Sequence, residues 1–276
     1  MNKTVSKTVG KTMLTGVVWT ALLVTSVTVP ASVAAQSAPA PAEPQAKTQA
    51  KTQAKTQAKT VRTALFVVAP KVFNSELMAP YDVLQHTVFR DADNYVETAV
   101  VSADGKPVET FEGITVVPHY SFENAPDPDI LVIPSTDGSM DRDLKDEAYM
   151  AFIRRAVEKA EWVITVCDGA FPLAATGVLD GRVATTFPGD RESFRDMFPK
   201  IDVRFDVRLV VDGKFITSVG GGMSYEPAFY LVERLYGKAH ADASARGLVW
   251  AWDLETLPHV VVESPAPSPA SAPAVH

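Results

Sequence analysis

The sequence predicts an α/β fold, a three-layer sandwich in which a mostly parallel sheet lies between two layers of helices. Three observations lead to this prediction. First, four apolar runs lack the alternation of apolar and polar residues that is typical of strands with one solvent-exposed face. Second, helical patterns lie between these runs. Third, one run ends abruptly in Cys-Asp-Gly. Strands that are apolar throughout are typical of sheets covered on both faces. Regular alternation of strand and helix indicates parallel strands joined by helical crossovers.

Each element rests on its own pattern. The four central strands are predicted at Ala64–Ala69, Ile130–Ile133, Trp162–Val166 and Phe215–Val219. Helical spacing of apolar residues predicts helices over 77–88, with Pro80 suited to a first turn, over 149–160, and over 227–236, which Gly237 stops. Weaker strands are predicted at 95–101, 114–117 and 203–211, and Asp212-Gly213 predicts a hairpin turn.

The two ends of the chain have compositions unlike the middle. Residues 1–35 run from basic to apolar to small, which predicts a signal peptide cleaved near Ala34 or Ala35. Residues 36–60 contain four consecutive Gln-Ala-Lys-Thr repeats and predict a disordered linker, and the Pro/Ala/Ser-rich tail 264–276 predicts disorder too. Residues 61–263 remain for one domain. We therefore expect a periplasmic or secreted protein without stable membrane insertion after signal cleavage.

Charge excludes one class of partner. Residues 1–60 hold seven of the 26 Lys and Arg residues and one of the 33 Asp and Glu residues, so the rest has 19 basic and 32 acidic residues, a net charge of −13. A domain this acidic is not expected to bind nucleic acid. The expected partner is a small-molecule substrate.

The single cysteine of the chain, Cys167, lies where the third central strand turns into a helix. A side chain at such an elbow is held in a strained conformation and points into the cleft above the sheet. Beside a helix N-terminus, a thiol is placed to ionise and attack. One cysteine cannot form an internal disulfide. We therefore predict an exposed, functional thiol, with a buried structural cysteine as the alternative.

The carboxyl ends of parallel strands meet at one edge of a sheet, where sites form. The loop after the first central strand carries Glu76, the second is followed by Ser135 and Thr136, the third by Cys167, and the fourth by Gly220-Gly221-Gly222. We expect these groups to converge in one crevice. The three glycines lack a phosphate-loop pattern and are predicted to permit close approach of the backbone.

The stretch Val166-Cys167-Asp168-Gly169 through Gly177-Val178-Leu179-Asp180-Gly181-Arg182 to Ala184-Thr185-Thr186 resembles the ThiJ/PfpI superfamily, as do Glu76 to Val83, Ser121 to Ala125 and Ala151 to Arg154. The similarity covers almost all of 61–252 and is greatest with the isonitrile hydratase-like branch. It implies a flavodoxin-like, class I glutamine amidotransferase-like sheet with a nucleophile elbow. It is specific for fold and poorly specific for reaction.

By that resemblance Cys167 matches the reactive elbow cysteine and Glu76 the acid that contacts it. It implies backbone oxyanion donors at Asp168, Gly169 and the Ser135–Thr136 region. It also implies no cofactor and, by analogy, a homodimer. The resulting hypothesis is an exported cysteine-dependent enzyme with hydratase- or lyase-like action on a small electrophile such as an isonitrile or aldehyde.

Three departures from the family pattern favour an alternative. Ser135-Thr136 replaces a usual Gly-Gly, Phe187 replaces a usual histidine, and Asp168 follows the cysteine, where its charge tends to raise the pKa of the thiol. The alternative is a non-catalytic ligand-binding or oxidation-sensing module. We assign Asp168 to the site; the alternative interpretation is that it caps the helix that follows the elbow.

Metal binding is not predicted. The five histidines are scattered without metal-ligand spacing, and His119 is the one placed nearest a site loop. Glu226, near the start of the last predicted helix, is interpreted mainly as a helix cap.

Overall fold

The computed structural model describes residues 60–262. The predicted signal peptide, the linker up to residue 59 and the tail 264–276 lie outside this range. Within it, no helix is both long and apolar enough to cross a membrane.

Eight of the strands form one central sheet. Its spatial order is β12-β10-β11-β7-β6-β1-β2-β5. All neighbours pair in parallel except β10 and β11, which form an antiparallel hairpin. The strands in chain order are β1 (Thr60–Val67), β2 (Asn94–Ser102), β3 (Val108–Glu109), β4 (Thr115–Val116), β5 (Tyr120–Ser121), β6 (Ile130–Ile133), β7 (Trp162–Val166), β8 (Val183–Ala184), β9 (Asp202–Val203), β10 (Leu209–Asp212), β11 (Phe215–Ser218) and β12 (His259–Val262).

Helices cover both faces of the sheet. The α-helices are α1 (Asn74–Gln85), α2 (Glu147–Lys159), α3 (Ala170–Ala175), α4 (Arg191–Met197), α5 (Glu226–Tyr236) and α6 (Lys238–Gly247). Helices α1, α5 and α6 supply the apolar residues of one face, and α2, α3 and α4 those of the other. The predicted three-layer α/β sandwich with a mostly parallel sheet is therefore confirmed.

Strand β1 shows why the central runs are apolar throughout. Ala64 and Phe66 belong to the core on the α1 face, whereas Leu65 and Val67 belong to the core on the α2 face. All four are buried. Because successive side chains of a strand point to opposite faces, a strand between two helical layers needs apolar residues at every position.

Two weaker strand predictions need correction. A weaker strand is predicted over residues 114–117, but only Thr115–Val116 is extended, and it pairs with β3 in a hairpin separate from the main sheet. Residues 203–211 divide between β9, which pairs with β8, and β10 in the main sheet. Both segments are interrupted by exposed residues, which cannot be part of a strand covered on two sides.

Candidate functional site

Strand β7 ends in the predicted elbow. Cys167 has φ 57°, one of three non-glycine residues with positive φ in the described chain, and it opens a 3₁₀ turn, Cys167–Gly169, that leads into α3. For a residue with a Cβ this conformation is strained and is tolerated where the surrounding structure enforces it. The turn places the cysteine at the carboxyl edge of the sheet, between the ends of β6 and β11.

Two glycines allow the backbone to pack around the elbow. A Cβ on Gly169 would lie 2.0 Å from the carbonyl oxygen of Ile133, at the end of β6. A Cβ on Gly220 would lie 2.4 Å from the Cβ of Cys167. Neither contact is possible for a residue with a side chain. The elbow is thus held from both neighbouring strands, and the predicted close approach at Gly220 is confirmed.

Glu76 reaches the elbow from the first turn of α1. It is 4% exposed, and its Oε1 accepts a hydrogen bond of 3.1 Å from the N–H of Gly221. The Ser135 N–H and the Cys167 thiol also approach the carboxyl closely enough to lower its pKa. Its second oxygen, Oε2, is buried without a hydrogen bond of good geometry. The structure therefore brings together the predicted acid and the predicted thiol.

Burial dominates the electrostatics of this pair. It raises the pKa of Glu76 above its ordinary value, and the contacts with Gly221, Cys167 and Ser135 offset this only in part. Burial also raises the pKa of the Cys167 thiol strongly, with further contributions from the charges of Glu76 and Asp168. The Asp168 N–H opposes the rise by donating to the sulfur. At neutral pH the thiol therefore keeps its proton.

The structure corrects two expectations about this thiol. Cys167 is 6% exposed and therefore buried, where an exposed side chain was predicted. It is not placed to ionise readily, because desolvation and two neighbouring carboxyls outweigh the effect of the short helix that follows. The expectation that Asp168 raises the pKa of the thiol is confirmed.

Asp168 directly follows Cys167 in the elbow and is half-buried. Its Oδ1 is 2.9 Å from the Oγ1 of Thr186, which is also 3.0 Å from the carbonyl oxygen of Cys167. Burial raises the pKa of Asp168 to about 7, and the charges of Asp190 and Glu76 add to the rise while Thr186 opposes it. A carboxyl with this pKa can both hold and release a proton at neutral pH.

The other predicted donors are arranged differently. Ser135 lies at the end of β6, and its N–H approaches the Glu76 carboxyl. The N–H of Thr136 donates to Ser139 Oγ at 2.9 Å, and its hydroxyl contacts Asp143, so both groups are engaged away from the thiol. The Asp168 N–H is thus the backbone donor that the structure places at the sulfur.

Sequence reasoning missed the roles of four residues. Thr186 stands in the Ala-Thr-Thr motif, which was noted but given no contact, and Asp190 follows it in the loop before α4. Glu226, interpreted as a cap, is buried, and its carboxyl lies 3.1 Å from the guanidinium of Arg208. The motif spacing after the elbow was a signal for Thr186, whereas no local pattern marks Asp190 or Arg208.

A separate cavity lies at the ends of β1 and β2. Its volume is about 410 Å³, and Tyr149, Phe122 and Lys106 are among its lining residues, whereas Cys167 and Glu76 are not. No group of three or more His, Cys, Asp or Glu side chains within residues 60–262 is arranged to hold a metal ion.

Comparison with known sequences gives consistent matches. The DJ-1/PfpI family model matches residues 62–234. The chain is 30% identical over 173 residues to isonitrile hydratase from Pseudomonas putida, covering 62% of this chain and 71% of that protein. It is 26% identical over 194 residues to the protein DJ-1alpha from Drosophila melanogaster, covering 69% of this chain and 85% of that protein.

Solved structures agree on the fold. Drosophila melanogaster DJ-1beta superimposes with a TM-score of 0.61 at 23% identity, covering 70% of this chain and all of that chain. A ThiJ/PfpI family protein from Pseudomonas syringae gives 0.62 at 23% identity, covering 73% of this chain and 80% of that chain.

Proposed function

The chain belongs to the DJ-1/PfpI family, and on that premise we propose that it is a cysteine-dependent enzyme that adds water to a small, uncharged carbon electrophile, an isonitrile in the first place. The observation that carries the proposal is the contact between the strained Cys167 and the buried acid Glu76. The similarity to an isonitrile hydratase supports the choice of substrate.

A protonated thiol suits this chemistry. The terminal carbon of an isonitrile, R–NC, bonds both a proton and a nucleophile, so S–H adds across that one carbon. Sulfur forms the S–C bond, the thiol proton moves to the same carbon through Glu76, and the product is the thioimidate Cys–S–CH=N–R. Glu76 handles the proton, which is the usual work of a buried acid with a raised pKa. The raised pKa of the thiol is therefore compatible with turnover.

Water completes the reaction. Its oxygen bonds to the thioimidate carbon, its hydrogens supply one proton to nitrogen and one to the hydroxyl, and the C–S bond then breaks. The hydroxyl proton returns to sulfur, which gives the formamide R–NH–CHO and the original thiol. The Asp168 N–H, already at the sulfur, stabilises negative charge as the bond breaks.

Export and assembly belong to the same proposal. The basic, apolar and small-residue order of residues 1–35 supports secretion or a periplasmic location. N-terminal sequencing of the mature protein should begin close to residue 35. We further propose a homodimer, which sedimentation at micromolar concentration tests.

A second function is favoured by one specific observation. Cys167 is 6% exposed and burial raises the pKa of its thiol, which suits a ligand-binding module better than a fast nucleophile or an oxidation sensor, because attack and oxidation both need an accessible thiolate. A sensor should convert Cys167 to a sulfinate under mild peroxide, detected by mass spectrometry.

The test measures conversion of butyl isocyanide to N-butylformamide by NMR. Cys167→Ala should lower kcat/KM by about 10³-fold or more, because the covalent step is removed, and Glu76→Gln by about 10²-fold, because a general acid is lost. Glu123→Gln, which removes an exposed acid outside the site, is the control and should match the wild type. Full activity of Cys167→Ala, or an inactive wild type, would reject the hydratase.

A further inference from the structure

The turn that follows β11 contacts both the acid and the thiol of the site. Gly221 donates its N–H to Glu76 Oε1 at 3.1 Å, and the neighbouring Gly220 packs directly against Cys167. Within the turn, the carbonyl oxygen of Gly221 accepts hydrogen bonds from the N–H of Ser224, at 3.2 Å, and from its hydroxyl, at 2.7 Å. The position of this short segment therefore decides whether the Glu76 carboxyl keeps its backbone donor.

Packing does not hold the turn on its outer side. A Cβ on Gly221 or Gly222 would meet no atom within 4 Å, and Gly222 is exposed. Gly220 and Gly221 have positive φ values of 75° and 58°, and glycine loses more conformational freedom on ordering than any other residue. Contacts with residues that flank the turn are therefore needed to keep the Gly221 N–H in place.

Arg208, the residue before β10, contacts the chain on both sides of the glycines. Its carbonyl oxygen accepts a 3.1 Å hydrogen bond from the N–H of Val219. Its guanidinium donates from Nη1 to the sulfur of Met223 at 3.3 Å, and its Nη2 lies 3.1 Å from Oε1 of Glu226. Glu226 is the first residue of α5 and is 5% exposed. A planar guanidinium with several donors can hold two such acceptors at once.

The guanidinium contacts are the part of this arrangement that a substitution can remove. The hydrogen bond to Val219 uses the backbone of Arg208 and survives any change of its side chain. Glu226 Oε2 and Arg208 Nε are buried without a hydrogen-bond partner, so the pair is joined through Oε1 and Nη2. Removing one partner of a buried ion pair leaves the other uncompensated, and the start of α5 then moves or takes up a proton.

We propose that Arg208 is a positioning residue for the site, whose guanidinium holds the end of the turn so that the N–H of Gly221 stays on the Glu76 carboxyl. Among the described residues, the hydrogen bonds and salt bridges of the Arg208 side chain go to Met223 and Glu226, so it acts through the turn. The effect on turnover rests on the hydration reaction proposed above, in which Glu76 handles the thiol proton. The effect on Gly221 does not.

The first arm of the test needs no turnover and measures amide hydrogen exchange in ¹⁵N-labelled protein. Arg208→Met keeps the length of the side chain but removes the guanidinium, so exchange of the Gly221 N–H should become faster by about 10-fold or more. Amides of β11 exchange through global unfolding, so exchange at Gly221 that is faster than theirs identifies a local opening. Arg204→Met removes an exposed guanidinium paired with Asp202 and is the matched control, which should leave Gly221 unchanged.

A second variant covers the case in which Arg208→Met does not fold. Arg208→Lys keeps the charge, but a single amine cannot hold the sulfur of Met223 and the carboxyl of Glu226 together. Exchange at Gly221 should then lie between the rates of the wild type and Arg208→Met. An unchanged rate at Gly221 in either folded variant would overturn the proposal. A wild-type rate equal to that of an unprotected amide would overturn it too.

The second arm follows butyl isocyanide hydration. Arg208→Met should lower kcat by about 10-fold and keep KM within about 2-fold of the wild type, because a displaced turn impairs proton handling by Glu76 more than substrate binding. Arg204→Met should match the wild type. Unchanged kcat in Arg208→Met would overturn the positioning role and leave the hydratase standing. Faster exchange at Gly221 in Arg208→Met, with no turnover in the wild type, would support the positioning role and reject the hydratase.

Discussion

The strained backbone of Cys167 is maintained by two nearby glycines, which have no Cβ atom. Positive φ costs a residue with a side chain on the order of 1–2 kcal/mol. Gly169 and Gly220 offset that cost by letting β6 and β11 close on the elbow without a Cβ between them. The position of the thiol is thus decided by two residues that contribute no chemistry of their own.

Gly220→Ala tests this support. The new Cβ would lie 2.4 Å from the Cβ of Cys167, and the residue would have to keep φ at 75°. Because overpacking and backbone strain add, we expect the free energy of unfolding to fall by about 3 kcal/mol, measured by urea denaturation. Activity should fall further, because the cheapest relaxation moves Cys167.

Gly222→Ala is the matched control for Gly220→Ala. A Cβ at Gly222 meets no atom within 4 Å, and its φ is not positive. Its stability should stay within about 0.5 kcal/mol of the wild type. If both variants are equally stable, the elbow does not depend on the close approach of β11.

Residue-level prediction from sequence succeeded where chemistry and local geometry coincide. Cys167 was identifiable because a strand, a cysteine and Gly169 follow each other directly. The contact of Glu76 with it was predicted from topology and family resemblance. Asp190 was not found, because its effect on the pKa of Asp168 depends on how a surface loop folds back on the elbow, which no periodicity encodes.

At the scale of elements, β7 and β11 each contain a buried threonine, and only one of the two hydroxyl groups has a hydrogen-bond partner. Thr165 and Thr217 are register partners, and both are almost completely buried. Thr217 Oγ1 accepts a 2.9 Å hydrogen bond from the Thr185 N–H, which joins β11 to the segment after β8. Thr165 Oγ1 has no partner. The buried threonine hydroxyl therefore stabilises the fold in β11 and destabilises it in β7.

Substituting each threonine with valine should separate the two cases. Thr165→Val removes an unpaired buried hydroxyl and should raise the free energy of unfolding by about 1 kcal/mol. Thr217→Val leaves the Thr185 N–H unpaired and should lower it by about 2 kcal/mol. Urea denaturation of both variants measures the difference, and each is the volume-matched control of the other. Equal effects would mean that Thr165 has found a partner.

Buried strands were easier to predict from the sequence than strands at the edge of the sheet. Strands β1, β6, β7 and β11 lie inside the sheet and were found, because each must be apolar on both faces. Strand β12 was not predicted, since it lies at the sheet edge with half-exposed residues and resembles a polar terminal segment. Edge strands receive their structure from a partner rather than from their own pattern.

On the scale of the whole molecule, the fold brings the carboxyl groups of Glu76 and Asp168 close to the thiol of Cys167. The hydrogen bond between Glu76 and Gly221 joins residues 145 positions apart and links α1 to the loop after β11. The sequence showed that these loops share an edge. It did not show that together they bury the sulfur, because burial depends on how three loops fit. That fit is also why several carboxyls have raised pKa values.

Buried acids make the stability of this domain depend on pH. Burial raises the pKa of Glu226 to about 7 and outweighs the charge of Arg208, and Asp168 is raised to about 7. Unfolded, these groups titrate near 4. Between about pH 4 and pH 7 the folded state therefore binds more protons than the unfolded state. By linkage, their contribution is fully present below about pH 4 and is lost as pH rises through 7.

Glu226→Gln isolates this effect outside the proposed catalytic groups. Glutamine keeps the volume and an oxygen for Arg208 but cannot ionise, so the variant should lose less stability than the wild type between about pH 4 and pH 8. We expect the difference to be about 2 kcal/mol, after discounting the full shift for solvent screening. Urea denaturation at both pH values measures it, with Glu123→Gln, an exposed acid, as the control. Parallel pH dependence in the wild type and Glu226→Gln would mean that Arg208 keeps Glu226 ionised in the folded state.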